Sequence, residues 1–464
     1  MRMRAVAAVT GVCWAAALYV APAASGTGSG PAGLETAPQE IVLNGEDNRL
    51  NAYDAETGAK HTVIPSAVDD PDEGLDINAE ICVVPDGVPW KPTGEIWFIA
   101  GEDTEQNTQE GVIKQGWGLF RLTGDRLEDL GAVELGKLVP DSFVTDADNP
   151  ENFGCAVLPD GRVVTGDVGD QLPQDPATGQ VIVWFPTSAH VQGATGPARN
   201  DFARVPHCKI DVALGTAGGM EVDDEYVYIA SNRPNLATLE PGGIYRYDYS
   251  LWPTGESPAD GCGRTDQSGE QLADEDKVGK ELFIPQVPGL LTTPSDIVHS
   301  GNGTFYISSV FTGQVAEYGA DGIFRRWVVF TTGQIGGITP FGIDVDSKGR
   351  LWVADIGVLG DGPAEDAGSV VRYTLGAVAP TETTVVDDGL QFPDGLGILT
   401  LPAAASGPGR AADDGEAGRP LGPATLPATG GSVPMLVGAF ALAAGLSWRA
   451  GWRHLARERA ARRL

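Results

Sequence analysis

Between Thr293 and Tyr373 the chain writes the same unit twice. The first copy runs Thr293-Pro294-Ser295-Asp296-Ile297-Val298, a Gly301-Asn302-Gly303 turn, Thr304 to Ser309, Gln314 to Tyr318, an Asp321-Gly322 turn, then Phe324 to Phe330. The second runs Thr339 to Val345, a Ser347-Lys348-Gly349 turn, Arg350 to Ala354, then Ser369 to Tyr373. Each run is short, rich in β-branched and aromatic residues, and closed by turn formers, so the unit specifies a small antiparallel sheet. Such a sheet cannot bury both apolar faces alone. A chain that repeats it must pack the copies against one another.

Longer copies precede these two. They begin at Asn78-Ala79-Glu80-Ile81-Cys82, at Glu151-Asn152-Phe153-Gly154-Cys155 and at Gly218-Gly219-Met220-Glu221-Val222. A sixth copy is split. Phe392 to Leu399 reads as an innermost strand with nothing after it, and Gln39 to Asn44, Arg49 to Asp54 and His61 to Ile64 supply the three strands it lacks. Joining the two chain ends in one sheet leaves only short, protected edges. The expectation is therefore an all-β, six-bladed β-propeller over residues 39–400, its N- and C-terminal strands sharing the closing blade. Seven blades would follow if Leu251 to Asp276 formed another. Gly154, Gly219, Gly342 and Gly395 recur at matching offsets in the innermost strands, where crowding round an axis calls for close backbone approach. Trp97, Tyr228, Tyr306 and Trp352, on second strands, read as packing between blades.

Both ends of the chain read as processing segments. Arg2 and Arg4, the apolar run Ala5 to Val20 and the small residues Ala21 to Ala24 make a secretory signal peptide over residues 1–24, followed by a short linker over 25–38. At the other end, Pro402 to Thr425 is rich in Ala, Gly and Pro and reads as a spacer over 401–425. Leu426-Pro427-Ala428-Thr429-Gly430 follows, then the apolar run Val433 to Trp448 and a basic tail over 449–464. As a helix that run of sixteen residues spans about 24 Å, enough to halt in a bilayer but short for a permanent span. The arginines of the tail stay cytoplasmic. The order of motif, apolar stretch and positive tail resembles the cell-wall sorting signal of Gram-positive bacteria. That resemblance implies cleavage between Thr429 and Gly430 by a sortase, with Leu426 and Pro427 as recognition residues and peptidoglycan as the acceptor. It also implies a secreted, wall-anchored protein whose only membrane contact is transient.

Residues 1–24 and 430–464, the parts expected to be cut away, hold eight of the 31 basic residues and one of the 63 acidic ones, so the exported part carries 23 against 62, a net charge of −39. Such a surface repels nucleic acid and anionic lipid and favours cations, calcium being the natural one outside a cell. Cys13 leaves with the signal. Cys82, Cys155, Cys208 and Cys262 remain, an even number in an exported chain, which reads as two disulfides. Three pairings exist. Near-equal offsets in adjacent innermost strands favour Cys82–Cys155, and the flanks of the third blade favour Cys208–Cys262.

In this architecture the starts of the innermost strands line the mouth of a central channel. Round the ring they read Glu80, Asn152, Met220 with Glu221, Asp296, Phe341 and Asp394. Converging carboxylates are costly to bury unless a cation joins them. Here the chain resembles the regucalcin, gluconolactonase and paraoxonase superfamily of six-bladed calcium-dependent propellers, and NHL-repeat proteins, over about Gln39 to Leu399. The resemblance rests on Pro393-Asp394-Gly395, Pro294-Ser295-Asp296 and Glu151-Asn152-Phe153-Gly154. It implies a calcium ion held by Glu80, Asn152 and Asp296 or Asp394, and a lactone or ester hydrolase in which Asp296 acts as general base. Two departures stand against it. Asn152 and Asp296 lie two blades apart, where the family has neighbours, and Glu80 lacks the family's glycine and proline context. His299 lies by a turn and reads as solvent-facing, and no nucleophile–histidine–acid set appears. The reading is therefore a surface propeller that binds an extracellular ligand on loops such as Gly101 to Gln115, Asp170 to Thr178 and Leu251 to Asp276; the alternative is a calcium-dependent lactonase or esterase.

Thr429→Ala should abolish covalent attachment to the wall. Muramidase digestion of whole cells checks this: the parent protein should appear as a ladder of peptidoglycan-linked species, and the variant as one band in membrane or medium.

Overall fold

The computed structural model describes residues 39–46, 49–64, 80–101, 116–123, 126–134, 152–167, 179–191, 205–235, 239–265, 271–330, 338–359, 362–363 and 366–401. The expected signal, linker, spacer and sorting segments lie outside the described residues.

Six antiparallel sheets are built round one axis. The first blade comprises Ile81–Val83, Ile96–Gly101, Gly116–Thr123 and Arg126–Glu134. The second comprises Asn152–Val157, Val163–Asp167, Gly179–Trp184 and His207–Leu214, and the third Met220–Val222, Tyr226–Ser231, Gly243–Asp248 and Lys280–Pro285. Pro294–Ser300, Thr304–Ser309, Gln314–Gly319 and Phe324–Phe330 form the fourth; Pro340–Val345, Arg350–Asp355, Gly368–Leu375 and Pro380–Leu390 form the fifth. In the closing blade the C-terminal strand Pro393–Thr400 is innermost and pairs with Glu40–Glu46, which continues to Arg49–Asp54 and Lys60–Ile64. Each innermost strand touches the next, and the closing one touches both the fifth and the first, so the ring is complete.

Leu251 to Asp276 is not a seventh blade. Gln271–Leu272 pairs in parallel with Lys209 on the outer strand of the second blade, and Arg264–Thr265 extends that sheet further. The insertion is fastened there. The Cys208–Cys262 disulfide bonds it to the outer strand, Trp252 is buried, and the Arg162 guanidinium donates to the carbonyls of Tyr249, Trp252 and Pro253. The second disulfide, Cys82–Cys155, ties the innermost strands of blades one and two. Each cross-link closes a long loop and is worth about 4 kcal/mol through the unfolded chain.

The core is distributed. Six apolar clusters fill the six gaps between blades, with Trp97, Tyr228, Tyr306 and Trp352 buried among them. A seventh, small and aromatic, sits on the axis.

Round that axis the blades meet backbone to backbone. The N–H of Glu80 donates to Phe153 O (3.1 Å) and that of Gly219 to Ser295 O (2.9 Å), each bond joining neighbouring innermost strands. At the matching level a Cβ on Gly154 would lie 1.9 Å from Gly218 O, and one on Gly342 would lie 2.1 Å from Asp394 O. Gly154 and Gly342 are thus required by contact with the next blade's carbonyl, while a Cβ on Gly219 would lie 2.1 Å from the Asp296 carboxyl. Gly342→Ala should lose about 2–3 kcal/mol to overpacking, while Gly301→Ala, whose Cβ would meet nothing within 4 Å, should be near neutral. Urea unfolding of the two variants checks the contrast.

Candidate functional site

Aligning the six sheets by their ladders assigns each candidate residue a level on the axis. Glu80 and Asp296 occupy the level of Gly154, Gly219, Gly342 and Gly395. Asp394 stands one residue earlier, level with Phe153, Ser295 and Phe341. Asn152 stands two earlier, level with the strand-opening Pro294, Pro340 and Pro393. A β-bulge falls between these levels in blades two, four, five and six, and it re-aims the side chains around it. The four candidate ligands therefore do not share one level. Glu80 and Asp296, from blades opposite one another, come together. The Asp394 carboxyl is fully buried and takes the N–H of Gly395 on Oδ1 (2.7 Å). The Asn152 side chain lies outside the described residues.

Backbone amides hold the acids. Glu80 Oε2 accepts from Cys155 N (3.0 Å) in the second blade and Met220 N (2.9 Å) in the third, so this side chain reaches past its neighbour. Asp296 Oδ1 accepts from Ile297 N (2.7 Å) and Oδ2 from Ile343 N in the fifth blade (2.8 Å). Two further acids repeat the device two residues along the strand. Glu221 takes the N–H of His299 in the fourth blade (3.2 Å), and Asp344 takes that of Ile398 in the closing blade. Asp344 escaped the sequence reading, although Gly342-Ile343-Asp344 sits in the register of Gly219-Met220-Glu221. Every one of these carboxyls satisfies an edge N–H that no sheet partner could reach.

The cost is electrostatic. Burial, and then the charge of Asp296, push Glu80 well above the usual carboxylate range; burial does the same to Asp296. Burial raises Glu221 to about 8 and Asp344 to about 7, and in each the amide bonds offset only part of the shift.

The mouth of the channel is stoppered. Phe153 and Phe341, from opposite blades, meet edge to face with centroids 4.7 Å apart, and Phe392 lies 6.4 Å from Phe341. All three are buried. The expected open mouth is thus replaced by an aromatic plug above Glu80 and Asp296, because rings of this length from opposite inner strands reach across the axis.

The calcium set expected from the family resemblance fits this geometry poorly. The four residues stand on three levels, and of them Glu80 and Asp296 share one. Glu80, Cys82 and Cys155 also cluster, but both sulfurs are spent in the disulfide. His299, expected in solvent, instead stacks on Phe305 at 4.8 Å and lines a polar cleft of about 460 Å³ at the opposite end of the ring, with Glu40, Asp344 and Asp346. His207 is buried against Trp184, and His190 bonds Thr187. Among the described residues no histidine stands with Glu80 or Asp296.

Strand direction sorts the insertions. Residues 102–115 and 168–178 fall between second and third strands, and 65–79 and 135–151 between blades; these segments lie outside the described residues, and the strands flanking them end or begin where innermost strands begin. The stretch 251–276 joins a third strand to a fourth and so emerges at the opposite end, not on the same face as the other two.

No protein-family model matches the chain, and no curated protein matches it. Solved structures do. A protein of unknown function from Bacteroides caccae is 11% identical, with a TM-score of 0.41 over 78% of this chain and 98% of that one. A nidogen/laminin complex gives 10% identity and a TM-score of 0.44 over 77% and 98%. A Bacteroides fragilis protein provisionally named 6-phosphogluconolactonase gives 11% and 0.42 over 78% and 99%. At these values none carries a functional argument.

An acid raised by folding is stabilising while protonated. Its contribution is complete below the unfolded value near 4 and is lost as pH rises through the folded value, here about 7 for Asp344 and about 8 for Glu221. The melting temperature should therefore fall between about pH 5 and pH 8, and Asp344→Asn should make the lower part of that slope shallower. Calorimetry across this range checks both.

Proposed function

We propose that this is an exported, wall-displayed binding propeller that takes a positively charged ligand on the face where its innermost strands begin. The observation that carries the reading is the plug of Phe153 and Phe341 over the axial acids, with those acids bonded to backbone amides. A substrate entering from that end meets aromatic rings before it meets a carboxylate. Recognition then falls to the segments whose flanking strands end at that face. Their sequences are acidic. Residues 65–79 hold Asp69, Asp70, Asp72, Glu73 and Asp76, and 135–151 hold Asp141, Asp146, Asp148 and Glu151, while Lys114 and Lys137 are the basic residues of the four segments 65–79, 102–115, 135–151 and 168–178. Charge of one sign on one face steers ligands of the other. Two disulfides fit folding in an oxidising compartment, and the sorting motif at Leu426 to Gly430 supplies the tether.

A second reading, the calcium-dependent lactonase or esterase, draws on the approach of Glu80 to Asp296. One pair of assays separates the two. A fluorescent lysine-rich peptide should bind the full chain at low salt and be released at high salt, and reversing charges over Asp69 to Asp76 should weaken it. Lactone and ester hydrolysis with added calcium should stay at background. Turnover that disappears in Asp296→Asn would establish the hydrolase, and peptide affinity indifferent to both salt and charge reversal would remove the cationic ligand.

A further inference from the structure

The closing blade contains a polar pair that nothing among the described residues completes. Asn44 and Asn51 face each other directly across the first and second strands of the N-terminal segment, and both are fully buried. Their amide nitrogens are committed: Asn44 Nδ2 donates to Gly395 O (2.9 Å), and Asn51 Nδ2 to Glu46 Oε2 (2.6 Å). Those acceptors fix both amides, since a flip would set oxygen against oxygen. Each Oδ1 is then left buried, and among the described residues no group donates to it. Buried carbonyl oxygens without a donor are rare, and two of them on opposed residues are costly.

Glu46 completes the cluster. It is buried, its Oε1 accepts from Gln391 N (2.8 Å), and both its bonding partners named here are neutral amides. Asn44, Glu46 and Asn51 share one face of the sheet, that of Val42 and Tyr53, which packs with Trp352 and Ala354 of the fifth blade. A bulge between Asn44 and Glu46 opens the ladder against Pro393–Thr400 at this point. Two amide oxygens and a carboxylate, out of water, are the donor set of a hard cation.

We infer that the seam between the N-terminal strands and the C-terminal innermost strand binds one divalent cation of the calcium type, through Asn44 Oδ1, Asn51 Oδ1 and the Glu46 carboxylate. The site lies away from Glu80 and Asp296 and does not depend on what the outer face recognises. Its occupant holds the ring shut, because its ligands are tied to the last strand through Gly395 and to the turn before that strand through Gln391. Cation binding is thereby linked to closure.

The test uses the full chain, stripped with EDTA and dialysed against radioactive calcium. About one ion per chain should be retained, and a hundredfold excess over the dissociation constant should raise the melting temperature by about 5 °C. Asn44→Leu should lose both effects. Asn51→Asp, which keeps an oxygen and adds charge, should bind calcium about tenfold more tightly while melting lower in EDTA; a residue that only fills space would show no such gain, and this variant still reports if the leucine variant does not fold. Asp296→Asn should leave the stoichiometry unchanged. No retained calcium in the parent would overturn the inference. So would retention that ignores both asparagine variants, or retention lost in Asp296→Asn.

Discussion

Everything in this molecule depends on six strand edges meeting around a line. Sheet faces can share their burden, since six apolar clusters lie between blades and each blade contributes to two of them. Edges cannot. The inner edge of each sheet presents N–H and C=O groups that no further strand can pair, in a space too narrow for water to serve them all. The chain answers with direct contact where glycine allows it, as at Gly154 and Gly342, and with carboxyl groups where it does not. Glu80, Glu221, Asp296 and Asp344 all reach forward to the next innermost strand, in the same rotational sense.

That solution consumes the groups from which a catalytic centre would be built. A carboxyl that accepts two amide protons, as Glu80 Oε2 does, is oriented and neutralised in part, which suits a brace and handicaps a base. Phe153 and Phe341 then seal the same line. Axis chemistry and axis closure compete for the same positions.

Much of this was legible beforehand. The split sixth unit, the recurring glycines, the inter-blade aromatics and both cysteine pairs follow from period and offset alone, and all appear in the structure. What escaped the sequence turns on single-residue register. The bulge between Pro294 and Ile297, with its equivalents, re-aims the side chains around it and was not visible, although counting back from Gly154 and Gly395 already sets Asn152 and Asp394 before the level of Asp296. Bulges carry no strong residue signature, so motif spacing could not locate them. Nor could it bring Phe153 to Phe341, because rings from opposite blades are far apart in the chain and meet only once the circle is drawn. The side from which 251–276 emerges was available from counting strands, since a connection between third and fourth strands must leave where the first turns do.

The paired termini set the direction in which the molecule resists force. Leu401 N–H bonds to Gln39 O, so entry and exit lie side by side, beneath the turns that join first strands to second and away from the long connections. A chain held by its C-terminal end and tugged by cargo at the far face would transmit tension lengthwise down Pro393–Thr400. Its rungs to Glu40–Glu46 would then be strained together, in shear, and would have to fail almost at once. Unzipping one bond at a time would require a sideways pull instead.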